Sequence, residues 1–181
     1  MSTTTTTTQT SKPSQPASRP AESAILSQLT DRVRGLYTKA VNLLEAQKPD
    51  EALAVLRNQA HSDPWLRNLA AVCLLRLKRP PEALDLLRPI IWSANGLELR
   101  SDVPIVFKTN FATGLLMQGH VSAALNILHA IGNDPHPAVA RLRSAIDQWK
   151  GTLSFFGRCK QALGIDPGHP ISLDAVPGDL P

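Results

Sequence analysis

Three copies of one short pattern of alanines and leucines constrain this chain more than any other feature of its sequence. The copies run from Leu36 to Ala60, from Arg67 to Ile91 and from Lys108 to Gly132. Six aligned columns hold the same residue type in every copy: Ala40, Ala71 and Ala112; Leu43, Leu74 and Leu115; Leu44, Leu75 and Leu116; Ala52, Ala83 and Ala124; Leu53, Leu84 and Leu125; and Leu56, Leu87 and Leu128. Repeats of this length indicate supersecondary units that stack on one another.

Each copy is predicted to form two helices joined by a tight turn, which in the third copy is Gln118-Gly119-His120. In the first helix, an alanine three residues before a leucine pair places small and large side chains on one face. The second helix carries a matching apolar stripe, and its alanine allows the two helices to approach closely. Because one helix pair cannot bury both stripes alone, neighbouring copies are expected to stack.

These aligned residues resemble the tetratricopeptide (TPR) repeat over about residues 33 to 137. That family has a small residue midway along its first helix, a glycine-type turn, an alanine in its second helix and a proline near the repeat end. Gly119 occupies the turn position in the third copy, whereas Gln47 and Lys78 occupy it in the first two; Pro64 and Pro135 match the prolines. The resemblance implies an all-α fold, a TPR-like α-solenoid of stacked antiparallel helix pairs.

Composition divides the chain into three segments. Residues 1–24 are rich in Thr, Ser and Pro, with six consecutive threonines. Such a segment cannot bury enough apolar surface to offset ordering costs of about 1–2 kcal/mol per residue, so it is predicted to be disordered. Residues 25–163 form the predicted helical repeat domain. Residues 164–181 contain four prolines and are predicted to form an extended tail without a helix.

Prolines and glycines mark the expected ends of several helices. Pro49 and Pro80 are predicted to begin the second helices of the first two copies. Pro89 is expected to kink or restart the helix around it, because a proline inside a helix removes a backbone hydrogen bond. Residues 93–104 form an insertion between the second and third copies, in which Asn95-Gly96 marks a turn. We weigh a functional loop and a simple solvated connection about equally for this insertion.

The C-terminal region is interpreted as a degenerate fourth repeat, with a helix over residues 138–150, a break at Gly151 and a second helix over residues 152–163. Phe155-Phe156 is interpreted as packing of this cap rather than as a partner or membrane patch. Residues 138–163 carry five bases against one acid, a net charge of +4, whereas the chain from residue 164 onwards has a net charge of −3. This asymmetry suggests that the tail docks on the body, and its apolar residues Ile171, Leu173 and Val176 are expected to pack there.

Several classes of protein and site find no support in the sequence. No apolar run approaches the ~20 residues that span a bilayer, and the N-terminus lacks the pattern of a secretory signal. Cys73 and Cys159 are interpreted as free thiols, which with the other features favours a cytoplasmic protein. No His or Cys spacing matches a metal site, and no phosphate-binding loop or nucleophile elbow is present. We therefore expect a non-enzymatic protein without a metal or cofactor.

The resemblance implies that the first helices line a concave groove. Carried over by alignment, the groove-lining residues are Arg34, Tyr37, Val41, Trp65, Asn68, Val72, Arg76, Thr109, Asn110, Thr113 and Met117. Some TPR domains grip a terminal carboxylate with matched Lys, Asn and Arg residues, and of that clamp only Asn110 matches well here. A groove with arginines and amides better suits an extended or helical peptide with some acidic character.

The leading hypothesis is an adaptor or scaffold that binds another protein or peptide in this groove. The alternative is binding of nucleic acid or an anionic surface through the basic C-terminal helices, for which salt sensitivity would be the sign. It is less favoured, because five basic residues over two helices are ordinary for a solvated face. Self-association through an incompletely capped end is a third hypothesis.

Overall fold

The computed structural model describes residues 27, 29–61, 63–96, 98–166, 171, 173 and 176–180. Within this part, the chain forms eight helices and no strand. The helices are α1 (Asp31–Glu45), α2 (Pro49–Leu56), α3 (Pro64–Arg76), α4 (Pro80–Ile91), α5 (Ile105–Met117), α6 (Val121–Ile131), α7 (Pro137–Thr152) and α8 (Phe155–Ala162). The all-α fold class is thus confirmed, while the disorder predicted for residues 1–24 concerns residues outside the described part.

Three helix pairs, α1–α2, α3–α4 and α5–α6, are joined by turns with the same hydrogen bonds. In the third turn, Gly119 N donates to Leu116 O at 3.0 Å and His120 N donates to Leu115 O at 2.9 Å. The equivalent bonds elsewhere run from Gln47 N to Leu44 O, Lys48 N to Leu43 O, Lys78 N to Leu75 O and Arg79 N to Leu74 O. The aligned leucine pairs therefore end the first helix of each copy in the same way.

The central residue of each of these turns has a left-handed backbone. Its φ is +58° at Gln47, +58° at Lys78 and +79° at Gly119. Only the last of the three is a glycine, so the first two turns place an L side chain where it is disfavoured. Pro49 and Pro80 then occupy the first positions of α2 and α4, as predicted, where a missing N–H removes no helical bond.

Neighbouring helix pairs pack in chain order, with α1 on α3, α3 on α5 and α5 on α7. α3 is shared between two core clusters. One face carries Leu66 and Leu69 into the cluster formed with α1 and α2, and another carries Leu74 and Leu75 into the cluster formed with α4 to α7. A helix that is apolar nearly all round belongs inside a domain, so α3 holds the two clusters together.

Pro89 lies inside α4. Of the two outcomes expected there, a kink or a restart, the restart does not occur. The helix continues to Ile91, and Trp92 N still donates to Arg88 O at 3.2 Å. Pro89 lies two positions before Ile91, the last residue of the helix, and its missing N–H removes a single backbone bond. Burial of Ile90 and Ile91, which are 6% and 0% exposed, favours continuing the helix.

The insertion after α4 is closed by backbone pairing rather than left as an open loop. Trp92 and Leu99 form an isolated antiparallel bridge, and Ser93 N donates to Glu98 O at 2.9 Å. Gly96 has a φ of +70°, which confirms the turn predicted at this position. Val103 is buried in the larger cluster, so the insertion is anchored at both ends.

The C-terminal helices differ from the predicted cap. α7 runs through Gly151 to Thr152, and the break falls at Leu153-Ser154, where Ser154 Oγ accepts from Gly157 N at 3.3 Å. An exposed helical glycine costs only about 1 kcal/mol relative to alanine, so it need not end a helix.

α7 buries one face, on which Val139, Leu142 and Ile146 follow one another at helical spacing. α8 buries none of its described side chains, and Phe156 is 76% exposed, so the interpretation of Phe156 as cap packing is wrong. The side chain of Phe155 is not among the parts of the chain that the structure describes. Among the described residues, no helix combines the length and apolar character that crossing a membrane requires.

Candidate functional site

Residues 176–180, which we call the docked tail, lie against α3, α5 and α7. Gly178 is buried against Val72 of α3, and the backbone of Asp179 is bonded to Asn110 of α5. The Asp179 carboxylate pairs with Arg141 of α7, and Leu180 packs on the cluster formed by α1 to α3. The face on which the sequence predicts a groove therefore already holds a segment of this chain.

Two contacts hold the chain between α8 and the docked tail. Asp166 Oδ1 accepts from both N and Oγ of Ser122, each at 2.8 Å, and so binds the first turn of α6. Ile171 is buried in the larger cluster, and its N–H donates to Leu116 O at 3.1 Å. The predicted packing of Ile171 is thus confirmed; Leu173 packs on the same cluster, whereas Val176 is 57% exposed.

Asn110 grips the docked tail by its main chain. Asp179 N donates to Asn110 Oδ1 at 2.7 Å, and Asn110 Nδ2 donates to Asp179 O at 3.0 Å. These two bonds reproduce with one amide the donor–acceptor pair that a neighbouring β-strand would offer. Because both bonds go to backbone atoms, this grip does not depend on which side chain the bound residue carries.

A second amide supports the first from α3. Asn110 Nδ2 also donates to Asn68 Oδ1 at 3.0 Å, and both asparagines are 0% exposed. Asn68 Nδ2 and Arg76 Nε are buried and find no hydrogen-bond partner among the described residues. Buried donors are normally paired, so these two atoms are exceptions to the general pattern in this structure.

The surface next to Val72 leaves little room for a side chain at Gly178 of the docked tail. A Cβ on Gly178 would lie 3.0 Å from Val72 Cγ1 and 3.3 Å from Val72 Cα. The second of these contacts involves backbone and cannot be relieved by rotating a side chain. Gly178 also has a φ of +83°, which L residues rarely adopt. The close contact with Val72 and the positive φ are thus two independent reasons why glycine is favoured at this position.

Two arginines give this face a positive potential near Asp179. Arg141 pairs with the Asp179 carboxylate. Arg76 donates from Nη1 to Leu44 O at 2.8 Å. Burial lowers the pKa of the Arg76 guanidinium, and nearby acidic groups, Asp179 among them, act in the opposite direction. The charge of Asp179 is thus favourable to both cations.

A cavity of about 190 Å³ remains between the docked tail and α7. Its walls include Thr113, Leu142 and Gln148 on the helices and Val176 and Pro177 on the tail. The volume exceeds that of a few water molecules, so the docked tail does not fill the space beside it.

Some of the residues predicted to line the groove lie at the docked tail. Val72, Arg76, Asn110 and Thr113 lie beside the docked tail, with Asn68 behind Asn110. Thr109 Oγ1 and Thr113 Oγ1 donate to carbonyls of their own helix, at 3.1 and 2.9 Å, and are not turned to a ligand.

The remaining predicted residues lie elsewhere. Tyr37 and Val41 are 0% and 5% exposed within the smaller cluster, so neither offers surface to a partner in this structure. Trp65 is half-buried and meets Phe107 edge-on, with ring centroids 4.8 Å apart. Arg34 bonds locally, to Asp31 Oδ1 and Leu29 O at 3.1 Å each, and Met117 packs on the larger cluster.

Sequence reasoning did not identify Arg141, Gly178, Asp179 or Leu180 as site residues. The contrast between a basic helix region and an acidic tail was the available signal, and it pointed to docking without naming a contact. Only part of that expectation holds, because Asp166 binds the start of α6 rather than a basic side chain.

No family model, no curated protein and no solved structure matches the chain. Over the residues that the structure describes, no group of three His, Cys, Asp or Glu side chains is placed to hold a metal ion.

Proposed function

We propose that this chain is a non-enzymatic, TPR-like interaction module that acts as an adaptor or scaffold in the cytoplasm. In this proposal the stacked pairs α1–α2, α3–α4 and α5–α6 form a short solenoid, and the surface of α3, α5 and α7 binds a segment of another protein. Three turns with the same hydrogen bonds, and helix pairs that pack in chain order, support a repeat architecture.

The observation that carries the proposal is the grip of Asn110 on the main chain of Asp179. A surface that holds an extended backbone with a buried amide, and flanks it with cations, has the features of a peptide-binding groove. Asn68 supports the grip from behind, because its side-chain oxygen accepts from Asn110 Nδ2 at 3.0 Å.

The charges of α7 give less support to the alternative, binding of nucleic acid or an anionic surface. Arg141 pairs with Asp179, and Lys150 lies 3.6 Å from Asp147. Arg143 donates to two main-chain carbonyls at the end of α6, at 3.2 and 2.7 Å. Three of the five basic side chains that suggested this alternative are therefore engaged within the chain.

The proposal can be tested by affinity capture from a native lysate with three full-length baits. The first carries Gly178→Ala, which we expect to weaken docking of the tail through a close contact with Val72 and a disfavoured φ. The second adds Asn110→Ala. The third adds Asn126→Ala instead, a matched change at an exposed asparagine on α6. All three must melt cooperatively before they are compared.

We expect proteins that the first and third baits capture and the second loses. Equal capture by all three baits would refute groove binding. Capture that disappears only with nuclease or high salt would instead favour the basic helices, because phosphate contacts weaken steeply with salt.

A further inference from the structure

We propose that the groove recognises an extended segment with the sequence Gly-Asp-Leu at its centre, and that the docked tail is an internal copy of this ligand. A partner that carries such a segment would bind by displacing residues 176–180. The proposal rests on the function proposed above, because it specifies the ligand of the same groove.

The first position of the motif is read by shape. Any side chain at Gly178 would meet the backbone of Val72, and the φ of +83° independently favours glycine. Val72 belongs to α3, which is buried in both core clusters and cannot move aside cheaply. A competing segment therefore needs a glycine at the same place.

The second position is read by charge. Asn110 bonds only to main-chain atoms of Asp179. The amide therefore fixes which residue of the segment lies at this place, but it does not select the side chain of that residue. Selectivity at this residue comes from Arg141, which pairs with the carboxylate, and from Arg76, whose charge is favourable to it. An acidic residue is favoured here and a basic one is excluded by both arginines.

The third position is recognised by apolar contact. The residues before the glycine are recognised with little selectivity. Leu180 packs on the cluster formed by α1 to α3. On the other side, Val176 is 57% exposed at the edge of the cavity of about 190 Å³. A larger aliphatic side chain in place of Val176 can enter that cavity, so a partner can exceed the affinity of the internal copy.

Because the docked tail is tethered to the groove, it competes more strongly for the groove than a free peptide of the same sequence. A segment on a short linker has an effective concentration on the order of millimolar at its own site. If the isolated segment binds with a Kd of about 100 µM, the docked tail occupies the groove about ten times out of eleven. An outside peptide then binds the wild-type chain about tenfold more weakly than an open groove.

The test uses a fluorescein-labelled peptide of residues 171–181, ISLDAVPGDLP, titrated by anisotropy with full-length chains. The acceptors are the wild type, Gly178→Ala, and Gly178→Ala combined with Asn110→Ala. Asp179→Lys in the chain is a second way to release the tail, by repulsion from Arg141. Peptides with Gly178→Ala or Asp179→Lys probe the first two positions of the motif, and a peptide with Val176→Leu probes the residue beside the cavity.

We expect the Gly178→Ala and Asp179→Lys chains to bind the peptide at least tenfold more tightly than the wild type, and Asn110→Ala to abolish that gain. The Gly178→Ala and Asp179→Lys peptides should bind at least tenfold more weakly, and the Val176→Leu peptide more tightly. Equal affinity for all peptides would overturn the recognition motif. Equal affinity of wild type and released chains would overturn occupancy by the internal copy.

Two further results separate this inference from the proposed function. If no peptide binds but a protein is still captured in an Asn110-dependent way, the inference fails and the proposed function stands. If neither the peptide nor any protein binds through Asn110, both fail. A wild-type chain that sediments as a dimer with exchanged tails would also overturn internal occupancy, because the occupant would be a second copy.

Discussion

Two of the three turns between paired helices place an L side chain in a conformation that favours glycine. Gln47 and Lys78 both have a φ of +58°, whereas the equivalent residue of the third pair is Gly119, with a φ of +79°. We predict that Gln47→Gly and Lys78→Gly each stabilise the protein, although neither substitution adds a contact.

The magnitude follows from two opposing terms. The left-handed conformation costs an L residue about 1–2 kcal/mol, which glycine avoids. Glycine also raises the entropy of the unfolded chain, which lowers the free energy of unfolding by about 0.4–1 kcal/mol. Both side chains are exposed, so little packing is lost. The net gain is roughly 0.5–1 kcal/mol for each turn, or about 2–8 °C in Tm for the pair in a chain of this size.

The assay is thermal and urea unfolding followed by circular dichroism, with wild type, each single variant and the double variant. Gln47→Ala keeps the Cβ and should gain nothing, while Gly119→Ala should lose about 1 kcal/mol, because it introduces the same strain into the third turn. Glycine variants no more stable than their alanine counterparts would refute the claim that the three turns share one strained geometry.

Three other predictions concern single positions. Gly114→Ala should lose about 1 kcal/mol by overpacking a neighbouring helix, since its Cβ would lie 3.0 Å from a leucine side chain, whereas Gly35→Ala, with nothing within 4 Å, should gain a similar amount from helix propensity; chemical unfolding measures both. Burial raises the pKa of the Cys73 thiol to about 12, so iodoacetamide at pH 8 should label only exposed Cys159 until the protein is unfolded, as read by mass spectrometry. Asp166→Ala should cost about 1 kcal/mol by removing the carboxylate at the start of α6, and unchanged unfolding would show that this contact adds nothing.

The helix pairs could be predicted because their causes lie close together in sequence. An alanine and a leucine pair on one face, a turn of three residues and a second stripe all act within one copy. The errors occurred where local preference competed with burial. Pro89 did not restart α4, because Ile90 and Ile91 are buried beyond it, and Gly151 did not end α7.

The position at which the docked tail binds could not be predicted in the same way. Its contacts join residues separated by 69 positions, as between Asn110 and Asp179, and they depend on the shape of the surface at Val72. Charge asymmetry indicates that an acidic tail and a basic body attract, but it acts over a distance and selects no register. The glycine that fits and the amide that pairs are visible only once three helices are placed together.

Why the groove holds a segment of its own chain follows from its buried amides. Asn68 and Asn110 are fully buried, and a buried amide without partners costs about 1–3 kcal/mol. The docked tail satisfies Asn110 by its backbone alone. In the proposed exchange, a partner segment would make the same backbone bonds, and the fit of its glycine, the pairing of its acidic residue and the filling of the cavity would decide the balance. Under the function proposed above, tethering keeps the docked tail in place until a better-fitting segment competes for it.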